Sequence, residues 1–234
     1  MSTANGLLDG LSESTRERLR PHLQLRHLTH GRLLVDVGDP LRHAYFPTAG
    51  MISVLGLTPQ GGALEVATVG ATGCCGVLLA LEATSSPHRV VVQLAGGAYR
   101  VPADVVRREL ARSDDLRRAL LHRANELLQQ VTQSAICVSV HQVLPRLCRW
   151  LLVSHAHARS TTIDLTQEFI AHMLGVSRPR VSQALMVLEV RHVIHQGLGR
   201  IHIVDRHGLE DLSCDCYRVA QERREHALRS TFTE

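Results

Sequence analysis

The sequence of 234 residues contains no lysine, so its 26 basic side chains are all arginines. Without lysine the chain cannot contain a phosphate-binding loop ending in Gly-Lys-Ser/Thr, a Schiff-base lysine or a kinase-type lysine. Arginine, in turn, makes bidentate contacts with phosphate and with guanine edges. The net charge is only +4 at pH 7, which permits a polyanionic partner without requiring one.

Long hydrophobic runs are also absent. Residues 77–81 form an apolar stretch that no other run exceeds in length, and it is too short to cross a bilayer. The polar first residues lack the basic and then apolar pattern of a signal peptide, so we expect a cytoplasmic protein with no membrane partner. The length leaves room for one large domain or two modest ones with an adequate core.

Six unevenly spaced cysteines indicate intracellular usage rather than a disulfide framework. None precedes Cys74, so the spacing excludes an iron–sulfur cluster with ligands near the N-terminus. The chain has no Cys-x-x-Cys and no His-x-x-x-His pair, and we therefore expect no structural zinc site and no cofactor. The cysteines are better interpreted as small buried hydrophobic residues.

The first half of the chain is rich in Val, Ile, Thr and Gly and has the pattern of short β-strands. Such runs occupy residues 51–55, 64–69 and 90–94, and glycine-containing turns occupy 59–62 and 70–73. They predict a small antiparallel barrel or roll within residues 31–102. Ahead of it, Ser12 provides a cap signal for a helix.

A helical period begins at Asp114. The residues spaced alternately by four and three, which we call the predicted dimer seam, are Leu120, Ala124, Leu127, Val131, Ser134 and Val138. This a/d spacing predicts a long helix that pairs with a second copy of the chain. The alternative is that the stripe packs on the protein's own roll. A second helix is expected over residues 142–156.

Two short helices around one turn are predicted within residues 165–189. Thr166 can cap the first helix, and Gly175 supplies the left-handed backbone at which it ends. Ser177 can cap the second helix, whose first turn also holds Pro179. A helix, a glycine turn and a second capped helix form a helix-turn-helix, whose second helix enters the DNA major groove.

The second of these helices carries side chains suited to nucleic acid. Its leading or outward residues are Arg178, Arg180, Ser182 and Gln183. They can donate hydrogen bonds to bases or phosphates, although an arginine-capped surface helix is the alternative. Two alternating strands joined at residues 197–199 follow and predict a β-hairpin wing, whose Arg200 would lie near the DNA backbone.

The order of roll, long helix and winged helix-turn-helix resembles the cyclic-AMP-receptor/fumarate-nitrate regulator (Crp/Fnr) superfamily over nearly the whole chain. The motif at residues 165–189 and the wing ending at 201–206 carry the resemblance most strongly. Residues 44–47 and 148–152 are similar to a branch that lacks a bound nucleotide. The resemblance implies a homodimeric transcription regulator that binds a palindrome and is switched at its N-terminal roll.

By position, the resemblance implies that Arg178 and Gln183 contact bases. It implies contacts with the DNA backbone for Thr166, Gln167, Ser177 and Arg180. Pro179 stands where the receptor has a glutamate that recognises cytosine, and Gln183 replaces an arginine. The receptor's target sequence therefore does not carry over to this chain.

Cyclic-nucleotide binding in that family uses a Gly-Glu pair and an Arg-Ser pair. Here Val77 stands in place of the glutamate, so the ribose 2′-hydroxyl would lack a partner and we do not expect cAMP. The effector is left unknown, and the residues implied for its pocket are Cys74, Cys75, Gly76, Arg89, Leu128 and Thr132. Cys74 and Cys75 are the candidates for redox sensing.

We therefore predict an α+β protein made of a β-roll sensor domain (1–113), a dimerisation helix (114–140) and a winged helix-turn-helix domain (141–234). Its expected function is that of a homodimeric, sequence-specific transcriptional regulator that binds double-stranded DNA with the helix at 177–189. RNA polymerase would be a further partner if the protein activates transcription.

Two other functions compete with this prediction. One is a dimer that binds a cyclic nucleotide or other small ligand and has a vestigial DNA-binding module. The other is a cupin-like enzyme, which would need clustered histidines and acids around a metal. The roll offers chiefly Glu65 and His88, which is too few, so we do not expect an enzyme.

Overall fold

The computed structural model describes residues 2–158 and 160–222, and the statements below concern that part of the chain. Residues 223–234 of the predicted DNA-binding segment lie outside it. The chain separates into two compact units, Met1–Val131 and Thr132–Glu234. No helix in the described part is both long and apolar enough to span a membrane.

The first unit combines short helices with two sheets. Its helices are α1 (Gly6–Asp9), α2 (Glu13–Leu19), α3 (Ala103–Leu110) and the first part of α4 (Asp114–Val140), with 3-10 helices at Arg20–His22 and Val77–Leu81. Its strands are β1 (Gln24–Leu28), β2 (Leu33–Val35), β3 (His43–Pro47), β4 (Met51–Leu57), β5 (Ala63–Val69), β6 (Arg89–Leu94) and β7 (Gly96–Pro102).

Both sheets of this unit are antiparallel, with strand orders β1-β7-β3 and β2-β6-β4-β5. The predicted strand runs correspond to β4, β5 and β6, and the roll begins earlier than predicted, at Gln24. Side chains that alternate inward from the strands meet those of the helices in a core. Fully buried members of this core include Phe46, Val101, Val106, Leu116 and Leu120.

The N-terminal helices begin at side-chain caps. The Ser12 hydroxyl accepts a hydrogen bond from the Thr15 N–H, as the sequence predicts. Asn5 caps α1 in the same way through Leu8, and its buried amide donates to the Pro47 and Gly73 carbonyls at 2.8 and 3.0 Å. One side chain therefore both starts a helix and attaches it to the roll.

The second unit contains the end of α4 and the remaining elements. These are α5 (Val143–Ala158), β8 (Thr162–Asp164), α6 (Gln167–Leu174), α7 (Arg178–Val190), β9 (Ile194–Gly197), β10 (Arg200–Ile203) and α8 (Arg206–Asp211), and residues 216–222 are helical again. The three strands form an antiparallel sheet in the order β8-β10-β9. α7 contacts both α5 and α6. Together the two units confirm the predicted α+β class with a roll, a long helix and a winged helix-turn-helix.

Candidate nucleic-acid interface

α6 and α7 form the predicted helix-turn-helix. The Thr166 hydroxyl precedes α6 and accepts a hydrogen bond from the Phe169 N–H at 3.2 Å. α6 ends at Gly175, whose φ of 63° lies in the left-handed region that favours glycine. The cap and the glycine stop predicted from the sequence are therefore both present, and they fix the turn between the helices.

The start of α7 differs in one detail from the prediction. Ser177 occupies the N-cap position, but its side chain makes no capping hydrogen bond, so that part of the prediction is wrong. The Ser177 carbonyl instead accepts from the Arg180 N–H at 3.0 Å. Pro179 lies in the first turn, where its missing N–H costs no helical hydrogen bond. The exposed Ser177 hydroxyl is thereby left for a contact outside the helix.

The outer face of α7 presents two arginines and a glutamine. Arg178, Arg180 and Gln183 are exposed, and within the described residues none of their side chains takes part in a hydrogen bond or ion pair. Ser182 is half-buried beside them. The opposite face buries Val181, Leu185 and Leu188 and so fixes the helix orientation. The N-terminus of α7, which carries the positive end of the helix dipole, thus lies beside two guanidinium groups. This combination favours an anionic partner.

The wing is more extensive than the predicted hairpin. β9 and β10 pair as predicted around the turn at residues 197–199, and β8 adds a third strand on the outer side of β10. Leu198 at the tip of the turn is fully exposed. β8 was not predicted, because the alternation in a three-residue strand next to a polar connection is too short to detect.

Arg200 on β10 is paired within the wing. Its Nε donates to Oδ1 of Asp164 on β8 at 2.7 Å, and both side chains are exposed. Exposed pairs of this kind are worth little, so a phosphate can compete with the carboxylate for the guanidinium. Asp164 was not predicted as a wing residue, although an acid close to the start of the helix-turn-helix is a signal for an arginine partner.

A chain of side-chain hydrogen bonds connects the wing to both helices of the motif. The Gln167 amide at the start of α6 donates to Oε1 of Gln196 on β9 at 3.1 Å. Gln196 donates its main-chain and side-chain N–H groups to the carboxylate of Glu189 on α7, at 3.1 and 2.8 Å. These hydrogen bonds, the backbone one first, lower the pKa of Glu189 below its usual value. Gln167, predicted as a backbone-contacting residue, is thus half-buried and engaged in the fold.

A buried arginine stabilises the turn from beneath. Arg146 on α5 is 6% exposed and donates from its guanidinium to the Leu174 carbonyl in the last turn of α6. Burial lowers the pKa of Arg146, but a guanidinium remains charged at any physiological pH. A cation at the C-terminal end of α6 satisfies a carbonyl that the helix itself cannot pair.

In the roll, Cys74, Cys75 and Gly76 lie together in the loop between β5 and β6. Cys74 is buried in the core, and the main chain of Cys75 exchanges two 2.8 Å hydrogen bonds with Tyr45. A Cβ at Gly76 would lie 2.6 Å from the Ala44 Cβ, so the loop packs tightly. Burial raises the pKa of both thiols, that of Cys75 to about 12. Both thiols are therefore protonated near neutral pH, which disfavours redox sensing by these two candidates.

The remaining implied effector residues are placed differently. Arg89 donates two hydrogen bonds to the Asp36 carboxylate, at 2.9 and 2.7 Å, and these raise the pKa of Arg89 and lower that of Asp36. An anion would have to displace Asp36 from this guanidinium. Leu128 and Thr132 occupy exposed positions on α4, whereas Cys74 is buried.

The predicted dimer seam requires a correction on α4. Leu120 is fully buried, and Ala124 and Leu127 are half-buried against the same core of the first unit. This part of the stripe packs on the protein's own unit, which is the alternative weighed above. Val131 is half-buried, Ser134 is buried and Val138 is exposed.

Apart from Val138, which belongs to the predicted seam, the exposed large apolar residues of α4 form a neighbouring stripe. Its members are Leu121, Leu128, Ile136 and Val140. The first two are displaced by one position from the predicted Leu120 and Leu127. One position rotates a side chain by about 100° around a helix, so the exposed stripe lies on a different face.

Comparison with known proteins identifies this architecture. Residues 145–212 match a family model described as a Crp-like helix-turn-helix domain. No curated protein sequence matches the chain. A protein from Eubacterium rectale assigned to the Crp/Fnr transcriptional regulators has a similar solved structure, with 16% identity, a TM-score of 0.70 and coverage of 90% of this chain and 99% of that one.

Two further solved structures agree with it. FixK2 from Bradyrhizobium japonicum is 15% identical, with a TM-score of 0.68 and coverage of 82% of this chain and 98% of its own. The c-di-GMP-responsive global regulator CLP of Xanthomonas campestris is 18% identical, with a TM-score of 0.65 and coverage of 82% and 99%. The chain therefore contains a Crp-like helix-turn-helix domain at residues 145–212 and has the same fold as these solved Crp/Fnr-type structures.

Proposed function

We propose that the protein is a homodimeric, sequence-specific transcriptional regulator that binds a palindromic DNA site through α7. The exposed, unengaged side chains of Arg178, Arg180 and Gln183 at the start of α7 are the observation that carries this proposal. Arginine pairs bidentately with the O6 and N7 of guanine, and glutamine with the N6 and N7 of adenine. Ser177 and the wing residue Arg200 supply donors for phosphates on either side of the helix.

The dimer forms through the exposed stripe of α4. Leu128 is 64% exposed and Leu121 is 41% exposed, so a partner helix could bury apolar area at both residues. A second copy of the same stripe would bury both residues in a parallel pair of helices. Two copies of α7 related by a two-fold axis would then contact half-sites about one helical turn, or roughly 34 Å, apart.

The roll receives the signal and α4 transmits it. Because α4 begins in the first unit and ends in the second, a change in its register or ordering reaches the DNA-binding elements. A signal that binds one arrangement of the helix pair more tightly shifts the population toward it. The effector is not a cyclic nucleotide held in the usual way, since Val77 replaces the ribose-binding glutamate and Asp36 occupies Arg89.

Selection of duplexes from a randomised library by the purified full-length protein tests the proposal. A palindrome with half-site centres about one turn apart is the expected result. The triple variant Arg178→Ala, Arg180→Ala and Gln183→Ala should no longer enrich the palindrome. Arg118→Ala, at an exposed arginine of α4, should enrich it as the wild type does. The selection is run with and without a small-molecule extract of the source cells, so that a required effector is supplied.

The competing function is a small-ligand-binding dimer with a vestigial DNA-binding module. It predicts no enrichment of any duplex under either condition, together with an intact dimer. Enrichment of the same palindrome by the wild type and the triple variant would instead place DNA recognition on another surface and contradict the assignment of α7.

A further inference from the structure

Four side chains with metal-ligating atoms meet beside the end of α4. Cys137 lies in the last turn of that helix and His141 directly follows it, while Cys214 and Cys216 follow α8. One sulfur or ring nitrogen from each residue lies within 4.8 Å of the others. The three cysteines are buried and His141 is half-buried, so solvent can reach the cluster at the histidine.

Local structure brings each pair of these residues together. Cys137 and His141 are one helical turn apart, and the His141 N–H donates to the Cys137 carbonyl at 3.1 Å, so both side chains leave the same face. The Cys214 N–H donates to the Pro145 carbonyl at 3.4 Å, which holds the second pair against the start of α5. All four residues belong to the second compact unit.

The distances match a tetrahedral zinc site. Zinc bonds to sulfur are about 2.3 Å and to imidazole nitrogen about 2.0 to 2.1 Å, which places neighbouring tetrahedral ligands roughly 3.5 to 3.8 Å apart. The sulfurs of Cys137 and Cys214 are 3.6 Å apart, and the sulfur of Cys216 is 3.6 Å from Nδ1 of His141. The six cysteines are all free thiols. Two of the six ligand-atom separations therefore match those of a zinc site, and the other four are within 4.8 Å.

The surroundings suit an anionic complex. Zinc bound by three thiolates and one imidazole carries a net charge of −1, and the guanidinium of Arg149 acts electrostatically on Cys137 and Cys214. The buried Nε of Arg149 has no hydrogen-bond partner among the described residues. Gln133 donates to the Cys216 sulfur at 3.1 Å, as an outer-sphere donor to a zinc thiolate does.

We propose that Cys137, His141, Cys214 and Cys216 form a structural Zn²⁺ site. Binding exchanges the three thiol protons, which are released to solvent, for three zinc–sulfur bonds and one bond to Nδ1 of His141. The metal joins the end of α4 to the segment behind the winged helix-turn-helix. It thereby fixes the two-residue connection between α4 and α5, the point at which the long helix enters the DNA-binding elements. This assignment does not depend on the proposed function.

The proposal departs from the expectation of no structural zinc site, which was based only on pairs of identical ligands. The signal was a Cys-x-x-x-His pair at the end of a predicted helix together with Cys-x-Cys near the C-terminus. A mixed pair at i and i+4 faces one side of a helix as well as two histidines do. What the sequence could not show is that two segments 77 residues apart converge.

Metal content of the full-length protein tests the proposal. Protein produced in zinc-supplemented medium with a tag that does not bind metals should contain one zinc per chain by elemental mass spectrometry. His141→Gln and Cys137→Ser should each reduce zinc to a small fraction of that value. Cys75→Ala, which changes a cysteine outside the cluster, is the matched control and should retain it.

Cobalt substitution supplies a second readout. Wild-type protein reconstituted with Co²⁺ should show the visible d–d bands of tetrahedral coordination and thiolate charge-transfer absorption, and His141→Gln should change both. Chelation should lower Tm in the wild type and in Cys75→Ala, but not in His141→Gln. Since His141 is half-buried at the surface, this variant keeps the proposal testable if Cys137→Ser fails to fold.

Three results would overturn the assignment. The first is a folded wild type that binds neither zinc nor cobalt under reducing conditions. The second is a stoichiometric iron–sulfur chromophore that uses the same cysteines. The third is a disulfide between Cys137 and Cys214 that forms readily in air and excludes metal, which would make the cluster a redox switch.

Discussion

Gln196 holds Glu189 through both its main-chain N–H and its side-chain amide, at 3.1 and 2.8 Å. The pair joins β9 of the wing to the last turn of α7. Gln167 extends the connection to α6. These three side chains therefore orient the wing relative to α7, and none of them belongs to the exposed set proposed to contact DNA.

Replacing Glu189 with Gln should destabilise the second unit by about 1 kcal/mol at neutral pH. A carboxylate that accepts two hydrogen bonds is stabilising, and the value is reduced because the Glu189 side chain is 39% exposed. Urea denaturation followed by the fluorescence of Trp150, the single tryptophan, measures the change. Asp211→Asn, at an exposed acid of α8, is the control and should leave the midpoint unchanged.

The same pair should make stability depend on pH in acid. Hydrogen bonding lowers the folded-state pKa of Glu189 below the ordinary value of 4.5, so the ionised form stabilises the fold above that pH. The contribution is lost as the pH falls through the lowered pKa. The stability difference between wild type and Glu189→Gln should therefore be constant above about pH 5 and shrink below 4.5. A difference that grows in acid would contradict this sign.

The arginines of α7 and of the wing should affect DNA binding differently. Arg178→Ala should cost roughly 1 to 3 kcal/mol at one base pair and relax the preference there, because a bidentate base contact is lost. Arg200→Ala should weaken binding to all sequences alike. It should also reduce the slope of log K against log salt concentration by about one. Titrations of the selected site, of single-mismatch sites and of random DNA at several salt concentrations separate the two effects.

Asp164 provides the internal check on the wing. Its carboxylate pairs with Arg200 and would lie close to phosphate in a complex. Asp164→Asn frees the guanidinium and removes a repulsive charge, so it should tighten binding to specific and random DNA by similar factors.

Equal losses at all sequences for Arg178→Ala and Arg200→Ala would refute the different roles assigned to these two arginines.

Local signals account for the parts of the fold that the sequence predicts well. The Thr166 cap, the left-handed Gly175 and the alternating strands at 194–203 each depend on a few neighbouring residues. Their structural meaning is set by backbone geometry and needs no knowledge of the remaining chain. For this reason the helix-turn-helix and its wing could be located from the sequence.

Long-range packing decides what the sequence leaves open. α4 has apolar residues on two neighbouring faces, and only the position of the roll determines that Leu120 is core and Leu121 is exposed. The pairing of Arg89 with Asp36 and the meeting of Cys137 with Cys214 join residues 53 and 77 positions apart. Such contacts depend on tertiary structure, which periodicity does not encode.

Arg146 should prove necessary for the stability of the second unit. Arg146→Met leaves the buried Leu174 carbonyl without its charged donor, which should cost roughly 1.5 to 3 kcal/mol. Arg218→Met, at an exposed arginine of the same unit, should cost less than about 0.5 kcal/mol. Denaturation followed through Trp150 compares them. A loss no larger than that of the control would mean that water replaces the guanidinium at the end of α6.

The exposed stripe of α4 gives the sharpest test of dimerisation. Leu128→Asp places a charge at the centre of the proposed interface, while Gln129→Asp places the same charge on the neighbouring exposed position. We expect Leu128→Asp to sediment as a folded monomer at micromolar concentration, because Leu128 is 64% exposed within one chain and is not needed for its core. Gln129→Asp should remain dimeric.

Leu120→Asp distinguishes the two faces of the helix. Leu120 is fully buried in the first unit, so a charge there should unfold that unit rather than merely separate two copies. The monomeric Leu128→Asp variant should in addition lose its preference for a palindrome over an isolated half-site, since one copy of α7 contacts one half-site. If Leu128→Asp remains a dimer and still prefers a palindromic site, α4 pairs through another face or the dimer forms through another element.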